Sequence, residues 1–396
     1  MSVWKEVVID ELCSEITDCV NKTAPSVEYV TPFKMIRTTN IKQGRINLDE
    51  VRYVTEETYK IWIRRGAPQL DDIILTREAP VGEVGIIRTN QKVFLGQRTM
   101  MYRADRSKAD PYYLYYAFQT EGVQEQIHAA GMGSVVEHVR VPDAKKFKIN
   151  TPSLPEQKAI ASVLSSLDNK IDLLHRQNRT LEAMAETLFR QWFIEDESIN
   201  DVAINELIEF NPKRTLAKGT QATYLEMAGL STQNFNATGY YIREFSSGTK
   251  FIQQDTLLAR ITPCLENGKS GYVTFLNENE VGWGSTEYIV MRPKAHLHPL
   301  MAYVLTRNQD FRDYAEGCME GSSGRQRVNV DHLKEYKIGN PSYPVIQKFN
   351  DYLKSIESKL IYNSKQIQTL EKLRDTLLPK LMSGEVRVEY KRVDAA

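Results

Sequence analysis

The chain has 396 residues, of which 41% are hydrophobic and 26% are charged, and its formal net charge is zero. This length predicts two or three domains, each large enough to bury its own core. The absence of a basic surplus argues weakly against a protein that binds nucleic acid alone, although acidic helices could balance a basic face. No apolar run approaches the ~20 residues that span a bilayer, and the first residues lack the pattern of a signal peptide.

The cysteines indicate the chemical setting of the protein. Cys13, Cys19, Cys264 and Cys318 form no C-x-x-C pair, and they are too few for a disulfide framework in a chain of this length. We therefore expect a protein of the reducing cytoplasm.

The sequence contains a long internal repeat. PSLP at residues 152–155 returns as PSYP at residues 341–344, which is 189 residues later. Short strand-like runs at residues 71–76 and 85–88 precede a helical stretch at 112–126, and residues 255–260, 271–273 and 299–303 repeat this order. Such a period is too long for a solenoid, whose repeats span ~20–50 residues. It predicts a duplicated domain.

Each repeat runs into one long helix, so the fold class predicted is α+β. Two pseudo-repeated domains are separated by two long helices that form an antiparallel coiled coil. The expected boundaries are residues 1–152 for the first domain, 153–196 for the first helix, 197–341 for the second domain, 342–384 for the second helix and 385–396 for a C-terminal tail.

Apolar residues recur in steps of four and three along both helices, which is typical of a coiled coil. The first series runs from Ile160 to Trp192, and the second runs from Phe349 to Leu381. Pro379 is expected to kink or end the second helix, which argues against pairing at Leu381.

An antiparallel register can be chosen in which Leu164 meets Leu377 and Asn178 meets Asn363. A buried asparagine costs stability unless its partner hydrogen-bonds with it, so an Asn–Asn layer selects this register over slips of a heptad. The alternative is that each asparagine only marks a solvated stretch of helix.

Catalytic motifs are scarce. The sequence has no G-x-x-x-x-G-K-[ST] phosphate loop and no H-E-x-x-H spacing. NPSY at residues 340–343 resembles the NPPY loop of adenine methyltransferases but lacks the second proline. Its position at a helix start favours a helix-entry turn. An adenine-N6 DNA methyltransferase with degenerate motifs stays open as an alternative, although no cofactor-binding glycine loop is evident.

Polar residues in glycine- and serine-rich loops and at strand ends are candidates for contacts with DNA. Arginine and glutamine suit phosphates and base edges, and small residues let the backbone approach. For each residue the alternative is a solvated turn, a flexible surface loop or an internal ion pair. The candidates are Arg37, Thr38, Asn40, Arg77, Gln97, Arg98, Ser134, Arg140, Lys213, Arg214, Arg260, Thr262, Ser322, Ser323, Arg325, Gln326 and Arg327.

Several motifs together resemble one family. TPSLPEQ at residues 151–157, followed by Ile160, Leu164, Asp168 and Ile171, resembles the conserved helix of the specificity (S) subunits of type I restriction–modification systems. LLARITPC at 257–264 and GWGSTE at 282–287 are similar to their target-recognition domains. The second helix departs from the pattern, because PVI stands at 344–346 where the first helix has PEQ.

This resemblance implies a DNA sequence-specificity subunit without catalytic residues. Residues 1–152 and 197–341 would be target-recognition domains, each reading one half of a split target in double-stranded DNA. The helices would dock two modification (methyltransferase) subunits, and restriction (motor-nuclease) subunits would complete the enzyme. The chain would bind no metal or cofactor, since S-adenosylmethionine, ATP and Mg would belong to its partners. A coiled-coil scaffold unrelated to DNA remains a second alternative.

Overall fold

The computed structural model describes residues 4–132, 137–232, 234–322, 324 and 326–389. The chain forms two compact units. Unit 1 consists of Met1–Asn169 with Leu370–Ala396, and unit 2 consists of Lys170–Thr369. Each unit therefore contains one repeat together with a part of both long helices.

The first repeat and its helix contain eleven strands and six α-helices within the described residues. In chain order they are β1 (Lys5–Val8), α1 (Ile9–Leu12), β2 (Cys13–Asp18), β3 (Phe33–Ile36), β4 (Ile41–Lys42), β5 (Arg45–Ile46), β6 (Arg52–Tyr53), α2 (Glu56–Trp62), β7 (Ile73–Arg77), β8 (Val81–Ile86), β9 (Lys92–Leu95), β10 (Thr99–Ala104), α3 (Pro111–Ala117), α4 (Glu121–Gly131), α5 (Val141–Ala144), β11 (Lys148–Thr151) and α6 (Leu154–Phe193).

The second repeat has the same kind of series. Its elements are β12 (Asp201–Ala203), β13 (Ile208–Phe210), β14 (Gln221–Leu225), β15 (Tyr241–Glu244), β16 (Thr249–Ile252), β17 (Thr256–Ala259), β18 (Ser270–Tyr272), β19 (Val281–Gly284), β20 (Tyr288–Pro293), α7 (Leu300–Arg307), α8 (Gln309–Gly317), β21 (Met319–Glu320), β22 (Arg327–Val328), α9 (Val330–Leu333), β23 (Lys337–Gly339) and α10 (Tyr343–Ser383).

The sheets confirm that the fold is duplicated. In unit 1 a four-stranded sheet has the order β2-β10-β7-β8, and unit 2 has the corresponding order β13-β20-β17-β18. A second sheet in each unit contains one parallel pair, β3 with β9 and β14 with β19. A two-stranded sheet joins the two ends of each repeat, β1 with β11 and β12 with β23. The α+β class predicted from the sequence is correct.

A buried aspartate–arginine pair recurs at the start of a central strand in both repeats. Arg103 donates to Asp72 (2.9 and 2.6 Å), and Arg292 donates to Asp255 (2.9 Å). Each aspartate also accepts a backbone N–H three residues earlier, from residue 69 or 252. Burial raises the pKa of the Asp255 carboxyl, and these donors oppose that rise. The pairs thus fix the ends of β7 and β17 next to β10 and β20.

The helical stretch predicted at 112–126 forms two helices, α3 and α4. Asp110 caps α3 by accepting from the N–H groups of Tyr112 and Tyr113 (3.0 and 3.1 Å). The chain turns at Thr120, whose hydroxyl donates to the Ala117 carbonyl (2.7 Å) and so competes with continuation of the helix.

In unit 1 the end of α10 packs on the repeat, and this corrects the prediction for Pro379. The proline lies inside α10, which continues to Ser383. Leu381 is only 2% exposed and shares a core with Ile160 and Leu164. Proline removes one N–H donor, but burial of the apolar side chains that follow it offsets that loss.

In unit 2 the two long helices pack through an apolar core with one polar layer. Leu353 and Leu360 of α10 lie in the same core as Phe189 of α6, with Leu188 packed against it. Asn363 Nδ2 donates to Asn178 Oδ1 at 2.8 Å, and both residues are buried. The structure therefore brings together the two asparagines that the heptad pattern paired, and the helices are antiparallel there. No helix of the described chain is long and apolar enough to cross a membrane.

Asn178→Leu alone should lower the free energy of unfolding by ~1–3 kcal/mol, because it leaves the amide of Asn363 buried without its partner. Asn178→Leu combined with Asn363→Leu should recover much of this loss by forming an apolar layer. The measurement is a double-mutant cycle by chemical denaturation. A coupling energy of zero would show that the hydrogen bond contributes nothing to the helix pair.

A carboxyl group on α6 links stability to pH. The hydroxyl of Tyr303, on α7, donates to Glu182 at 2.7 Å. Burial raises the pKa of Glu182 to about 7, although the Tyr303 hydroxyl and Arg307 both favour the ionised form. The folded protein therefore holds this proton more tightly than the unfolded chain, and stability is lost as pH rises through the folded pKa.

Glu182→Gln should remove this pH dependence while keeping an acceptor for Tyr303. Between pH 4.5 and pH 8, the free energy of unfolding of the variant should rise by about 1–3 kcal/mol relative to that of the natural chain. This range follows because one pKa unit corresponds to ~1.4 kcal/mol and residual solvent reduces the effect. Denaturation at both pH values measures it, with exposed Glu206→Gln as the control. If the variant and the natural chain differed in free energy of unfolding by the same amount at both pH values, the raised pKa of Glu182 would be contradicted.

Candidate nucleic-acid interface

Two of the candidate arginines meet at a cavity of about 230 Å³ in unit 2. Arg260 directly follows β17, and Arg214 lies in the segment after β13. The remaining lining includes a lysine, two threonines and the end of β20. The principal polar and charged residues at the cavity are Asn211, Arg214, Thr249, Lys250, Arg260 and Thr286.

Arg260 is held by the loop that leads to β22. Its Nη2 donates to the Val328 carbonyl at 2.7 Å, and the Val328 N–H donates back to the Arg260 carbonyl at 2.9 Å. Its Nε is buried without a hydrogen-bond partner, as is the Nε of Arg214. The Arg214 side chain is 19% exposed and lies 3.5 Å from Asp255, which also pairs with Arg292. The cavity is thus rich in cationic donors.

Arg77 occupies the corresponding place in the first repeat but is engaged inside the fold. Its Nε donates to the Val139 carbonyl at 2.7 Å, as Arg260 binds Val328. Its guanidinium also binds Asp18 at 3.1 Å and contacts His138 at 2.9 Å. Arg77 is only 8% exposed, so its contacts in this conformation are intramolecular.

On either side of the candidate loop, β21 and β22 pair antiparallel, with Glu320 opposite Arg327. Ser322 is exposed, and the Gln326 carbonyl accepts the Thr262 N–H at 3.2 Å. Arg327 is exposed and makes a two-pronged contact with Glu287, whose oxygens lie 2.7–2.9 Å from the guanidinium. This contact raises the pKa of Arg327. Ser134, Ser323 and Arg325 lie outside the described residues.

The candidates at the start of the first repeat include one structural residue. Asn40 is buried, accepts the Arg37 N–H at 2.9 Å and donates to the Glu50 carbonyl at 3.0 Å. These bonds close the short 3₁₀ turn Thr38–Asn40. Burial, and then the nearby charge of Arg52, lowers the pKa of Arg37. Arg37 and Thr38 retain partial exposure.

The remaining candidates are exposed or partly exposed, and three of them have partners of their own. Arg98 pairs with Glu78 at 3.1 Å, and Arg140 pairs with Asp143 at 2.8 Å. Gln97 accepts the hydroxyl of Thr23 at 2.9 Å. Lys213 is exposed, whereas the Thr262 hydroxyl is buried without a hydrogen-bond partner.

Sequence reasoning missed Lys250 at the cavity. Its Nζ lies 5.0 Å from the centre of the Phe245 ring, and it stands in β16 among apolar residues. A lysine inside a short apolar strand was the available signal, but only the fold shows that β16 lies near Arg260. Among the described residues, no group of three or more His, Cys, Asp or Glu side chains is placed to hold a metal ion.

Comparison with known proteins agrees with this architecture. Residues 1–183 match the family model described as the type I restriction modification DNA specificity domain. The specificity subunit of the type I restriction enzyme MjaIX of Methanocaldococcus jannaschii is 27% identical over 366 residues, which cover 85% of this chain and 82% of that protein. A putative MjaX specificity subunit of the same organism is 26% identical over 399 residues, which cover 90% of this chain and 88% of that protein.

A solved structure shares the fold. The crystal structure of a type I restriction–modification S subunit from M. genitalium superimposes with a TM-score of 0.53 at 18% identity, covering 98% of this chain and 97% of that one. Residues 1–183 thus match a type I restriction modification DNA specificity domain, and most of the chain is similar to proteins named as type I specificity subunits, as its sequence motifs indicated.

Arg327→Ala should weaken DNA binding if the arginine exchanges Glu287 for a DNA group on binding. A phosphate contact predicts a uniform loss across sequences and a fall of about 1 in the salt slope. A guanine contact predicts a loss of ~1–3 kcal/mol of discrimination at one position. Binding titrations with several duplexes measure both, and unchanged affinity and specificity would leave Arg327 as a partner of Glu287 alone.

Proposed function

We propose that this chain is the subunit that selects the DNA sequence in a type I restriction–modification complex. Each repeat reads one half of a split target in double-stranded DNA, with unread base pairs between the halves. The observation that carries this proposal is the duplicated fold with unlike polar surfaces: Arg77 is neutralised in the first repeat, whereas Arg260 borders an open cationic cavity in the second. Two related but unequal readers suit a target with two different halves.

The long helices offer equivalent apolar positions for a partner that binds twice. Leu173 and Met184 are 40% and 50% exposed on α6, and they are eleven residues apart, which places them on one helix face. Tyr362 and Leu373 stand 189 residues later in the sequence and are 55% and 44% exposed on α10. We therefore propose that the helices dock two copies of the modification subunit. Restriction subunits would join this core.

The chain is proposed to be non-catalytic in itself. S-adenosylmethionine, ATP and Mg would belong to the modification and restriction subunits. The similarity to proteins named as specificity subunits supports this division. The segment at residues 340–343 that resembles a methyltransferase loop ends on the first residue of α10, and the Ser342 carbonyl accepts the N–H groups of Val345 and Ile346.

Exchange of residues 1–152 for those of another specificity subunit should change one half of the recognised target and leave the other half unchanged. The physical reason is that each reader has its own sheets and core. Methylation mapping of DNA treated with the assembled complex gives the result, and exchange of residues 197–341 is the matched control. A simultaneous change in both halves would contradict independent readers.

The same complex and the isolated chain test which subunit transfers the methyl group. The purified chain alone should transfer no methyl group to DNA, whereas the complex with modification subunits should methylate adenine. Methyl transfer by the isolated chain would instead support the degenerate methyltransferase. Failure of the complex to distinguish any target from random duplex would support a scaffold without a role in DNA recognition.

A further inference from the structure

The two repeats differ where the first strand of the four-stranded sheet ends. In the first repeat β2 ends at Asp18, and its carboxylate binds both Arg77 and Arg65. In the second repeat β13 ends at Phe210, and the next residue is Asn211. By strand register Pro212 corresponds to Asp18, and it lines the cavity with Asn211 and Arg260, so the second repeat has no acid where the first repeat has one near Arg77.

Loss of this acid leaves the second repeat with uncompensated positive charge. In the part of the chain that the structure describes, neither Lys250 nor Arg260 forms an ion pair with a carboxylate. Arg214 has only a long contact to Asp255, whose closer partner is Arg292. Three cationic side chains thus border one cavity, together with the hydroxyl-bearing Thr249 and Thr286.

The cavity has the chemistry of an oxyanion site. Guanidinium, ammonium and hydroxyl groups all donate hydrogen bonds to phosphate oxygens, and charged donors form the stronger bonds. Buried Nε atoms on Arg214 and Arg260 lack an acceptor in the protein. A volume of about 230 Å³ exceeds the ~30 Å³ share of a single water and admits a phosphate group.

We propose that this cavity binds a backbone phosphate of the DNA half-site read by the second repeat, with Lys250 and Arg260 as its main donors. The inference rests on the proposed function and deepens it, because it makes the two readers unequal in their use of the DNA backbone. The first repeat carries an internal salt bridge at the corresponding place. Phosphate contacts fix position and register rather than sequence, so this cavity anchors the second reader while other residues select bases.

Two variants remove or cancel the charge with little disturbance of the fold. Lys250→Met keeps an apolar chain against the Phe245 ring. Asn211→Asp keeps the acceptor that binds the Val290 N–H at 2.9 Å and suits the left-handed backbone at this residue (φ 51°). The aspartate would supply the second repeat with the kind of acid that the first repeat has. The matched control is Lys294→Met, an exposed lysine directly after the opposite end of β20.

The experiment measures binding of the complex with modification subunits to its target duplex and to random duplex from 0.05 to 0.3 M salt. We expect both variants to lose affinity roughly three- to tenfold for both duplexes, and Lys250→Met to lower the salt slope by about 1. Lys294→Met should match the natural chain. Circular dichroism and melting of each variant establish that it is folded.

Unchanged affinity and slope in both variants would overturn the inference. So would a loss confined to binding of inorganic phosphate, measured by calorimetry, because the cavity would then be a site for the free ion. A natural complex that fails to distinguish target from random duplex would refute the proposed function instead. If the natural complex discriminated its target but the variants kept the natural salt slope, the phosphate site would be refuted and the proposed function would stand.

Discussion

The structure depends on the apolar seam of the two long helices, because each unit completes its core with residues from both of them. In unit 1, Ile160 of α6 and Leu381 of α10 lie in the core of the repeat. In unit 2, Phe189 of α6 and Leu353 of α10 do the same. The buried Asn178–Asn363 bond adds a polar layer, and such layers penalise shifted registers. A slip along the helices would therefore disturb the seam and the cores together.

The duplicated scaffold lets the two repeats carry different chemistry at equivalent places. The Asp–Arg pairs that fix β7 and β17 are common to both, and so is the bond from Arg77 or Arg260 to a valine carbonyl. What differs is the neutralisation of that arginine, which Asp18 provides in only one repeat. Shared packing and unequal polar surfaces are what a reader of two unlike DNA sequences requires, since base readout depends on side chains rather than on the fold.

Periodicity predicted the parts of this protein that depend on regular repetition. The 189-residue repeat indicated the duplicated fold, and the heptad series paired Asn178 with Asn363. It misjudged Pro379, because local propensity does not include the tertiary burial of Leu381. Sequence patterns selected Asn40 and Arg77 as candidates for contacts with DNA, and in the structure both are buried and bonded within the fold. Lys250 was missed because β16 and β17 belong to different sheets, and only the packing of those sheets brings Lys250 and Arg260 to one cavity. Hydrophobic periodicity carries no signal for such packing.

The central claim is that this chain gives its complex two separate readers. The most direct measurement is a genome-wide map of methylated adenines in a host that expresses the chain with its modification subunits. We predict one motif made of two specified halves separated by a fixed number of unspecified base pairs. A single continuous motif, or methylation without any motif, would contradict the account.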